Sequence, residues 1–425
     1  MLDITKLGME EARKIDRCRA CDSHYMSPII SLGDLYVTNF VDTVGQQGPK
    51  VPLNLVLCDQ EKGGCGLMQL EHTTPAGAMW GDQYWYKSGL NPLIRQDLQS
   101  IVEGVGARVS LNEGDLVVDI GCNDGTLLSN YSSRVHRAGF DPSKNVAAEA
   151  KAKGFDVVND FFNGTAYASK FGDLKAKVIT AISMFYDLDD PNAFLKDVKN
   201  NLNKEGLFVV QQNYVATMLS NNAVDNICHE HLEYYSLRSM EALLARHDLE
   251  VFDVEQNGIN GGSIRTYIRS KGSNVGTGAD AIRRVADLRT AEKLQGLEKK
   301  ETYERFAEDV QVQRGRLLEF ITEEKAMGKR FGACGASTRG NTTLQYFGLT
   351  PNEIEAIADS NPDKWGKKTV GSMIPIVSPE EMKKMNPDYQ LVLIWHLFKG
   401  LTDTERTFKE RGGKFVLPLP KFAVI

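Results

Sequence analysis

The stretch that most constrains the fold is an apolar run that ends in a glycine-containing loop. Val117-Val118-Asp119-Ile120 is followed directly by Gly121, and Gly125 comes four residues later. This pattern predicts a buried strand, a tight loop and a helix that opens near residues 126–128. Glycine adopts dihedrals that other residues avoid and lets the backbone come close to a ligand. Because open α/β sheets bind ligands at such loops, the sequence predicts a cofactor site here.

Later segments repeat the alternation of strand and helix. Apolar runs at residues 135–140, 155–158, 178–183 and 207–212 are separated by helical stretches. Strands that alternate with helices at this spacing predict a doubly wound, largely parallel sheet. The fold class is therefore expected to be α/β.

The residues of the first loop narrow the choice of cofactor. A dinucleotide loop has the pattern G-x-G-x-x-G, but Asn123 and Thr126 occupy its second and third glycine positions. Asp124 also lies near the place of the phosphate charge, whereas Asp119 and Asp124 suit a cationic or polar ligand. The D-x-G-x-x-x-G spacing resembles motif I of class I methyltransferases, which bind the sulfonium cofactor S-adenosylmethionine. An ordinary strand-to-helix turn is the alternative.

Residues at the ends of the predicted strands extend this site. Asp141 follows the second strand at the distance where an acid can accept hydrogen bonds from both ribose hydroxyls. A polar and aromatic loop after the third strand suits adenine, and the fourth strand runs into another such loop. The predicted cofactor-binding residues are Asp119, Gly121, Asn123, Asp124, Gly125, Asp141, Asp160, Phe161, Ser183 and Phe185.

Composition excludes several classes of function. The chain has 425 residues, enough for two or three domains. A net charge of -6 and a pI near 5.8 argue against a nucleic-acid-binding surface. There is no apolar stretch of membrane-spanning length and no charged-then-apolar leader, so a soluble, cytoplasmic protein is expected. Seven cysteines in such a chain argue against a disulfide scaffold.

Four of the cysteines form two pairs near the start of the chain. Cys18 and Cys21 are a C-x-x-C pair, and Cys58 and Cys65 are a wider pair around a glycine-rich loop. Thiolates from two turns can complete a tetrahedral zinc site, and zinc binding would stabilise a module too small for a large core. We therefore expect structural zinc, with free thiols or a redox pair as alternatives. His24 and His72 are the expected substitutes if one cysteine is not a ligand.

A second group of reactive side chains lies at residues 228–235, with the sequence Cys-His-Glu-His-Leu-Glu-Tyr-Tyr. It contains two of the seven histidines of the chain, and it follows the fifth predicted strand, where it can fold over the cofactor. A metal-binding His-x-His pair and a solvated helix start are alternatives. The H-E-x-x-H spacing of zinc proteases is absent.

Together these motifs resemble those of the sugar C-methyltransferases. The cysteine pairs, the loop at residues 119–125, the cluster at 229–231 and the segment at 335–342 occur in the order seen in that family. The resemblance covers nearly the whole chain. It implies a zinc-binding module at residues 1–75, a class I, Rossmann-like S-adenosylmethionine domain at 76–270, and a helical connection with a C-terminal Rossmann-like α/β domain at 271–425. It also implies a nucleotide-linked deoxy-keto-sugar as substrate, bound by a monomer or homodimer.

The resemblance also implies roles for single residues. The family's glutamate-histidine pair falls on Glu230 and His231, with the histidine as the base that removes the proton beside the ketone. Glu230 is expected to orient His231 or to contact a sugar hydroxyl. Relatives that methylate amino-keto-sugars carry tyrosine and aspartate where this chain has Cys228 and His229. His229, Tyr234 or Tyr235 would then stabilise the enolate.

The substrate is expected to contact two further segments. The resemblance places Tyr86 and Ser88 at the pocket, although aromatic residues there can equally pack the module onto the central domain. The hydroxyls, backbone donors and cation at residues 337–342 favour an anion at a helix start, such as a sugar-nucleotide diphosphate. The substrate-binding residues are expected to be Tyr86, Ser88, Ser337, Thr338, Arg339 and Asn341. The alternative functions are O-methylation of a nucleotide sugar and a catalytically inactive sugar-nucleotide-binding protein, whereas the missing glycines argue against a nicotinamide oxidoreductase.

Overall fold

The computed structural model describes residues 12–37, 40–75, 79–80, 84–276, 278–398 and 406–425. Residues 1–11 and 38–39 of the predicted zinc module lie outside these ranges, as do residues 76–78 just after it. The described residues form three units in chain order. These are an antiparallel β module, a seven-stranded α/β sheet and a six-stranded α/β sheet.

The N-terminal unit consists of short antiparallel strands. β4 pairs with β2 on one side and with β5 on the other. Along β4, Val51, Leu53 and Leu55 are buried at every second position, as expected for a strand with one face on a core. The strands are β1 (Arg13–Lys14), β2 (Met26–Tyr36), β3 (Phe40–Val41), β4 (Lys50–Cys58), β5 (Met68–Leu70) and β6 (His72–Thr73).

The central unit contains the strands predicted from the alternating pattern. Its elements are α1 (Pro92–Gly106), β7 (Leu116–Ile120), β8 (His136–Phe140), α2 (Lys144–Ala152), β9 (Asp156–Val158), α3 (Gly164–Phe171), β10 (Ala176–Ile182), α4 (Pro191–Asn201), β11 (Leu202–Asn213), α5 (Val215–Ser220), β12 (Glu233–Tyr234), α6 (Leu237–Ala245), β13 (Leu249–Asn257) and β14 (Ser263–Ser270). The sheet order is β13-β14-β11-β10-β7-β8-β9. From β11 to β9 the neighbouring strands run parallel, whereas β14 is antiparallel to both β11 and β13. The predicted α/β fold class is confirmed.

The position of β7 explains why the loop after it can hold a ligand. β7 lies between β8 and β10, so the chain continues on one side and later returns on the other. This is a topological switch point, where a crevice opens at the carboxyl ends of parallel strands. All five residues of β7 are buried.

The prediction of a helix that opens near residues 126–128 is wrong. A short 3-10 turn at Leu128–Asn130 replaces it, and Tyr131 is already extended. The Asn130 side-chain amide donates to the Thr126 carbonyl at 3.0 Å. Because this amide uses an acceptor that a helix would offer to its own backbone, the side chain competes with the helix.

The C-terminal unit begins with two helices and continues as a second sheet of order β18-β16-β15-β19-β20-β21. The predicted helical stretch at residues 279–329 is divided at Gly296, whose left-handed backbone (φ 77°) ends α7. The elements are α7 (Ala279–Gln295), α8 (Lys300–Ala326), β15 (Phe331–Cys334), α9 (Thr338–Phe347), β16 (Ile357–Ala358), β17 (Lys368–Thr369), β18 (Ile376–Val377), α10 (Pro379–Met385), β19 (Tyr389–Val392), α11 (Arg406–Glu410), β20 (Lys414–Leu417) and β21 (Ala423–Val424). In the order of the sheet, the five strands from β18 to β20 run parallel, and β21 is antiparallel to β20.

Strand pairs join the three units. β12, from the central stretch of the chain, pairs with β5 of the N-terminal sheet. β3 of the N-terminal unit pairs with β17 of the C-terminal unit. The segment that carries residues 228–235 is therefore anchored to the N-terminal module. Among the described residues, none of the helices has the length and apolar character needed to cross a membrane.

Candidate active site

The four predicted metal-binding cysteines converge on one point. Their sulfur atoms all lie within 4.8 Å of one another. The Sγ atoms of Cys18 and Cys65 are 3.7 Å apart, and those of Cys21 and Cys58 are 3.5 Å apart. Four sulfur atoms at the corners of a tetrahedron around zinc would be separated by about 3.8 Å, so the four cysteines fit structural zinc.

The loop between Cys58 and Cys65 explains how a wider spacing can still form a metal knuckle. A 3-10 turn at Gln60–Lys62, capped by the Asp59 side chain, takes up the extra residues. A Cβ atom at Gly64 would lie 2.6 Å from the Cys58 sulfur, so only glycine fits there. His24 is bonded through Nδ1 to the Asp16 carbonyl at 2.8 Å, and with four thiols already together no histidine substitute is needed.

A cavity opens at the carboxyl end of β7. It is lined by Asp119, Gly121, Asn123 and Asp141 among the residues predicted for the cofactor. Gly121 has φ 72°, and a Cβ there would lie 3.0 Å from the Met184 side chain, so the close approach requires glycine. The space, including its open mouth, is about 1150 Å³.

The carboxyl groups of this cavity are held by short hydrogen bonds. Thr180 donates its hydroxyl to Asp119 at 2.6 Å, and burial raises the pKa of Asp119 to about 7. Asp141 accepts the backbone N–H groups of Asn123 and Ser143, each at 2.9 Å. Burial also raises the pKa of Asp141. Acidic groups without a phosphate-binding glycine cradle fit a positively charged ligand.

Two residues of the first loop do not line this cavity. Asp124 accepts hydrogen bonds from the Thr126 hydroxyl at 2.6 Å and from the Gly89 N–H at 3.1 Å. Gly125 has φ 76°, and a Cβ there would lie 2.7 Å from the Phe155 ring. Both residues therefore shape the loop from behind and hold the segment at residues 86–89.

The remaining cofactor candidates divide in the same way. Asp160, Phe161 and Ser183 line the cavity. Phe185 is fully buried instead and packs on the rings of Phe194 and Tyr235. The loops after β9 and β10 thus reach the cavity, but Phe185 of the β10 loop belongs to the core.

The Tyr84–Ser88 segment covers the cavity from the other side. Tyr84, Tyr86 and Ser88 line it. The Asn123 side chain fixes the segment, because it accepts the Ser88 N–H at 3.0 Å and donates to the Tyr86 carbonyl at 3.1 Å. The first loop therefore positions these residues directly.

The reactive segment at residues 228–235 lies beside this cavity. The thiol of Cys228, a carboxylate oxygen of Glu230 and a ring nitrogen of His231 lie within 4.8 Å of one another. The His231 ring packs edge-on against Tyr186 at 4.4 Å between centroids. Glu230 is close enough to the cavity residue Tyr84 for its charge to raise the pKa of that tyrosine further, after the larger effect of burial.

His231 has a defined tautomer. Its Nδ1 lies 2.8 Å from the carbonyl oxygen of Asn226. Because a carbonyl can only accept, Nδ1 carries the hydrogen and Nε2 carries the lone pair. Burial, with a smaller effect of the Arg339 charge, lowers the pKa of His231 to about 4. Glu230 has the opposite shift, since burial raises its pKa to about 7.

Two other candidates in this segment are used for packing. His229 is buried and bonds through Nε2 to the Val51 carbonyl of β4 at 3.1 Å. Tyr234 is also buried, pairs through its backbone with Met68 of β5, and points its hydroxyl at the Asn226 carbonyl, 3.4 Å away. The structure thus places both on the side of the reactive segment that packs against the N-terminal module, and neither lines the cavity.

The predicted anion site at residues 337–341 has a different environment from the one expected. Ser337 caps α9 by accepting the Gly340 N–H at 2.9 Å, and Thr338 is the first residue of that helix. Asn341 is buried within the same helix. The Arg339 guanidinium pairs with Asp225 at 2.5 Å, so its charge is already neutralised by a residue of the central unit.

Several cavity residues were not predicted from the sequence. Asp187 follows directly after Phe185 and Tyr186 of the β10 loop, and Gln211 lies near the carboxyl end of β11. Their position after parallel strands is a signal that could have found them. Asp97 lies on α1 and carries no such signal. The additional lining residues of this kind are Trp80, Tyr84, Asp97, Asp187 and Gln211.

Comparison with known proteins gives matches along most of the chain. Family models match a zinc binding domain at residues 18–80, a methyltransferase domain at 94–254 and a C-methyltransferase C-terminal domain at 258–420. The chain is similar to the C-methyltransferase NovU of Streptomyces niveus, with 31% identity over 420 residues, which is 97% of each chain.

Solved structures also match, at low overall similarity. An S-adenosylmethionine-dependent methyltransferase from Clostridium acetobutylicum is 16% identical, covers 42% of this chain and 92% of its own length, and has a TM-score of 0.33. Magnesium protoporphyrin IX methyltransferase from Synechocystis is 13% identical, covers 46% and 89% respectively, and has a TM-score of 0.33.

Proposed function

This chain belongs to the C-methyltransferase family and is an S-adenosylmethionine-dependent methyltransferase, and on that premise we propose that it methylates the carbon beside the ketone of a nucleotide-linked deoxy-sugar. The observation that carries the proposal is the arrangement of His231. Its Nδ1–H is held by the Asn226 carbonyl at 2.8 Å, which leaves a lone pair on Nε2, and its ring packs against Tyr186 of the loop after β10. A C–H bond next to a ketone becomes a nucleophile only after deprotonation, so a positioned base is what this reaction requires.

The electrostatics of the pair support the same role. The lowered pKa of His231, about 4, keeps the imidazole neutral and able to accept a proton at neutral pH. The raised pKa of Glu230, about 7, lets it hold a proton or release it near neutral pH. We propose that Glu230 stabilises the imidazolium that forms when His231 takes the substrate proton, because an adjacent carboxylate favours the charged ring.

The acidic cavity supports the placement of the cofactor. When bound, S-adenosylmethionine supplies a methyl group on a positively charged sulfur. We propose that Asp119, Gly121, Asp141, Asp160, Phe161 and Ser183 hold it. Asp124, Gly125 and Phe185 would act indirectly, through the shape of the loops.

The substrate is proposed to enter beneath the Tyr84–Ser88 segment, where Tyr86 and Ser88 line the cavity. Arg339 is tied to Asp225 and to the Asn260 carbonyl, and Asn260 itself lines the cavity. We therefore propose that the start of α9 contributes to the substrate site mainly by fixing the position of Asn260. The residues concerned are Ser337, Thr338, Arg339 and Asn341. We also propose that the chain is divided into three domains, at residues 1–75, 76–270 and 271–425.

The test is His231→Asn, with His247→Asn as the matched control, since His247 is bonded to Asn192 at the surface of the central unit. Each protein is incubated in deuterium oxide with a panel of nucleotide-linked keto-deoxy-sugars, with and without S-adenosylmethionine. We expect the wild type and the control to incorporate deuterium beside the ketone and to methylate that carbon. His231→Asn should lose both by about 100-fold or more and keep its affinity for S-adenosylmethionine in calorimetry.

Other outcomes would contradict the proposal in different ways. Methylation on oxygen with no deuterium incorporation would indicate an O-methyltransferase. Near wild-type exchange in His231→Asn would move the base to another residue. The pair should also leave a pH dependence with two acid limbs of kcat/KM, one near 7 as Glu230 takes a proton and one near 4 as His231 takes a proton, rather than a single limb near the ordinary histidine value of about 6.5.

A further inference from the structure

The carboxyl group of Asp187 lies in the cavity but takes no part in the proposed proton removal or cofactor binding. Asp187 ends the 3-10 turn Phe185–Asp187, which follows β10, and it lines the cavity with Met184 and Leu188. Its Oδ1 atom is buried and has no hydrogen-bond partner among the described residues. An unpartnered buried polar atom destabilises a folded protein, and such an atom in a ligand cavity marks a place where a ligand supplies the missing partner.

The charges around Asp187 determine its protonation state. Burial raises the pKa of Asp187 well above its usual range, and the carboxylates of Glu230 and Glu233 raise it further. The other titratable groups within electrostatic reach have raised pKa values as well and are neutral at pH 7. They are Tyr84, Tyr186, Tyr234 and Cys228. Among the described residues, no lysine or arginine forms an ion pair with Asp187, so the neutral acid is the favoured form.

Its acidic neighbours differ from Asp187 in their partners. Glu233 accepts the hydroxyl of Tyr235 at 2.9 Å, and the charge of Arg19 acts on it. Tyr234, in turn, directs its hydroxyl to the Asn226 carbonyl. Cys228 offers only a thiol, which is a weak donor. Oε1 of Glu233 also lacks a partner among the described residues, but Glu233, Tyr234 and Cys228 do not line the cavity, whereas Asp187 does.

We propose that Asp187 is a catalytic acid of this site, which donates the hydrogen of its protonated carboxyl to the ketone oxygen of the substrate while His231 removes the neighbouring proton. The inference rests on the proposed function. A protonated carboxylic acid in a dry pocket is an effective donor to an enolate oxygen, because the charge that develops there is stabilised before water can reach it.

The proposed step balances as follows. The C–H bond beside the ketone breaks, its proton goes to Nε2 of His231, and its electron pair forms the C=C bond of an enol. The carbonyl oxygen takes the Asp187 hydrogen as its π bond opens. The new C–CH3 bond then forms as the methyl–sulfur bond breaks, and that electron pair stays on sulfur. Asp187 recovers its hydrogen as the ketone re-forms, and His231 releases its proton to solvent.

The experiment measures proton exchange without methyl transfer. Wild type, Asp187→Ala, Asp187→Asn and the surface control Asp173→Asn are incubated in deuterium oxide. The mixture contains S-adenosylhomocysteine and thymidine-diphosphate-linked 3-keto- and 4-keto-6-deoxyhexoses. Deuterium beside the ketone is followed by mass spectrometry. Asp173 is an exposed residue just after α3 and does not line the cavity. Asp173→Asn therefore removes one carboxylate outside the proposed site.

We expect Asp187→Ala to slow exchange by about 100-fold or more, the usual effect of removing one preorganised donor. Its affinity for S-adenosylmethionine in calorimetry should stay within about threefold of the wild type, and this binding also shows that the variant is folded. Asp187→Asn keeps a neutral N–H donor that does not ionise. It should therefore retain more exchange than the alanine variant and lose the fall in rate at alkaline pH that ionisation of Asp187 causes.

The results separate this inference from the proposed function. Exchange in Asp187→Ala within about threefold of the wild type, or an alkaline fall in rate that persists in Asp187→Asn, overturns the role of Asp187 alone. No exchange in the wild type with any sugar of the panel overturns the proposed function and, with it, this inference.

Discussion

Removing the charge of Arg339 should weaken the contact between the central and C-terminal units. Arg339, at the start of α9, donates from Nε and Nη2 to Asp225, at 2.9 and 2.5 Å. Its Nη1 also donates to the Asn260 carbonyl at 2.6 Å. Asp225 lies in the turn Val224–Asn226, whose last residue holds His231. The pair therefore joins α9 to the segment that positions the proposed base.

The size of the effect follows from burial. Only 1% of the Asp225 side chain and 13% of the Arg339 side chain is exposed. In Arg339→Met the Asp225 carboxylate keeps one side-chain donor, the Trp395 indole N–H at 3.1 Å, and its Oδ1 has no partner among the described residues. Breaking such a buried pair costs about 3–5 kcal/mol, which corresponds to at least about a 100-fold change in an opening equilibrium.

Hydrogen exchange followed by mass spectrometry measures this opening segment by segment. We expect peptides covering residues 222–231 and 338–347 to exchange at least about 100-fold faster in Arg339→Met. The control is Arg283→Met, because the Arg283–Asp280 pair is 69% and 74% exposed and such pairs contribute about 0–1 kcal/mol. Adding Asp225→Leu to Arg339→Met should recover part of the loss, since it removes the unpaired carboxylate.

Unchanged exchange in both peptides would refute the assignment of Arg339 to a structural ion pair. If the KM for the nucleotide sugar rose at the same time, Arg339 would be a direct ligand of the substrate anion, as the sequence pattern alone suggested. The electrostatics add a second readout. Arg339 lowers the pKa of His231, so Arg339→Met should move the acid limb near pH 4 to higher pH.

Two further predictions concern the metal and the cofactor. Metal analysis should find about one zinc per chain, and Cys58→Ser should lower both the zinc content and the midpoint of thermal unfolding, because zinc binding contributes folding free energy. A metal-free protein with unchanged unfolding would contradict the zinc module. A second equivalent of zinc would point to Cys228, Glu230 and His231. Asp141→Ala should weaken S-adenosylmethionine binding in calorimetry by about tenfold or more, since it removes a carboxylate that lines the cavity and also orders the Asn123 and Ser143 amides; the same affinity as in Asp173→Ala would rule out the placement of the cofactor.

Local patterns were sufficient for the scaffold and for the metal ligands. The buried run at Val117–Ile120 and the apolar segments after it predicted strands that the structure contains, because burial on both faces requires continuous apolar residues. The cysteine pairs were recognisable because each pair lies within a few residues along the chain. The same kind of pattern failed at residues 126–130, where the Asn130 side chain competes with the backbone for the Thr126 carbonyl.

The sequence by itself thus determined an α/β protein with a loop for a positively charged cofactor and a cysteine module, whereas Glu230 and His231 as the reactive pair remain a prediction that rests on the family resemblance. Only the tertiary structure decided which nitrogen of His231 is free, that His229 bonds to Val51 of another unit, and that Arg339 pairs with Asp225. It also brought Asp187 into the cavity without a partner. The physical reason is range. Strand and knuckle patterns arise from neighbours in the chain, whereas His229 and Arg339 bond to residues 178 and 114 positions away, and the tautomer of His231 is fixed by a carbonyl that only the folded turn brings to its ring.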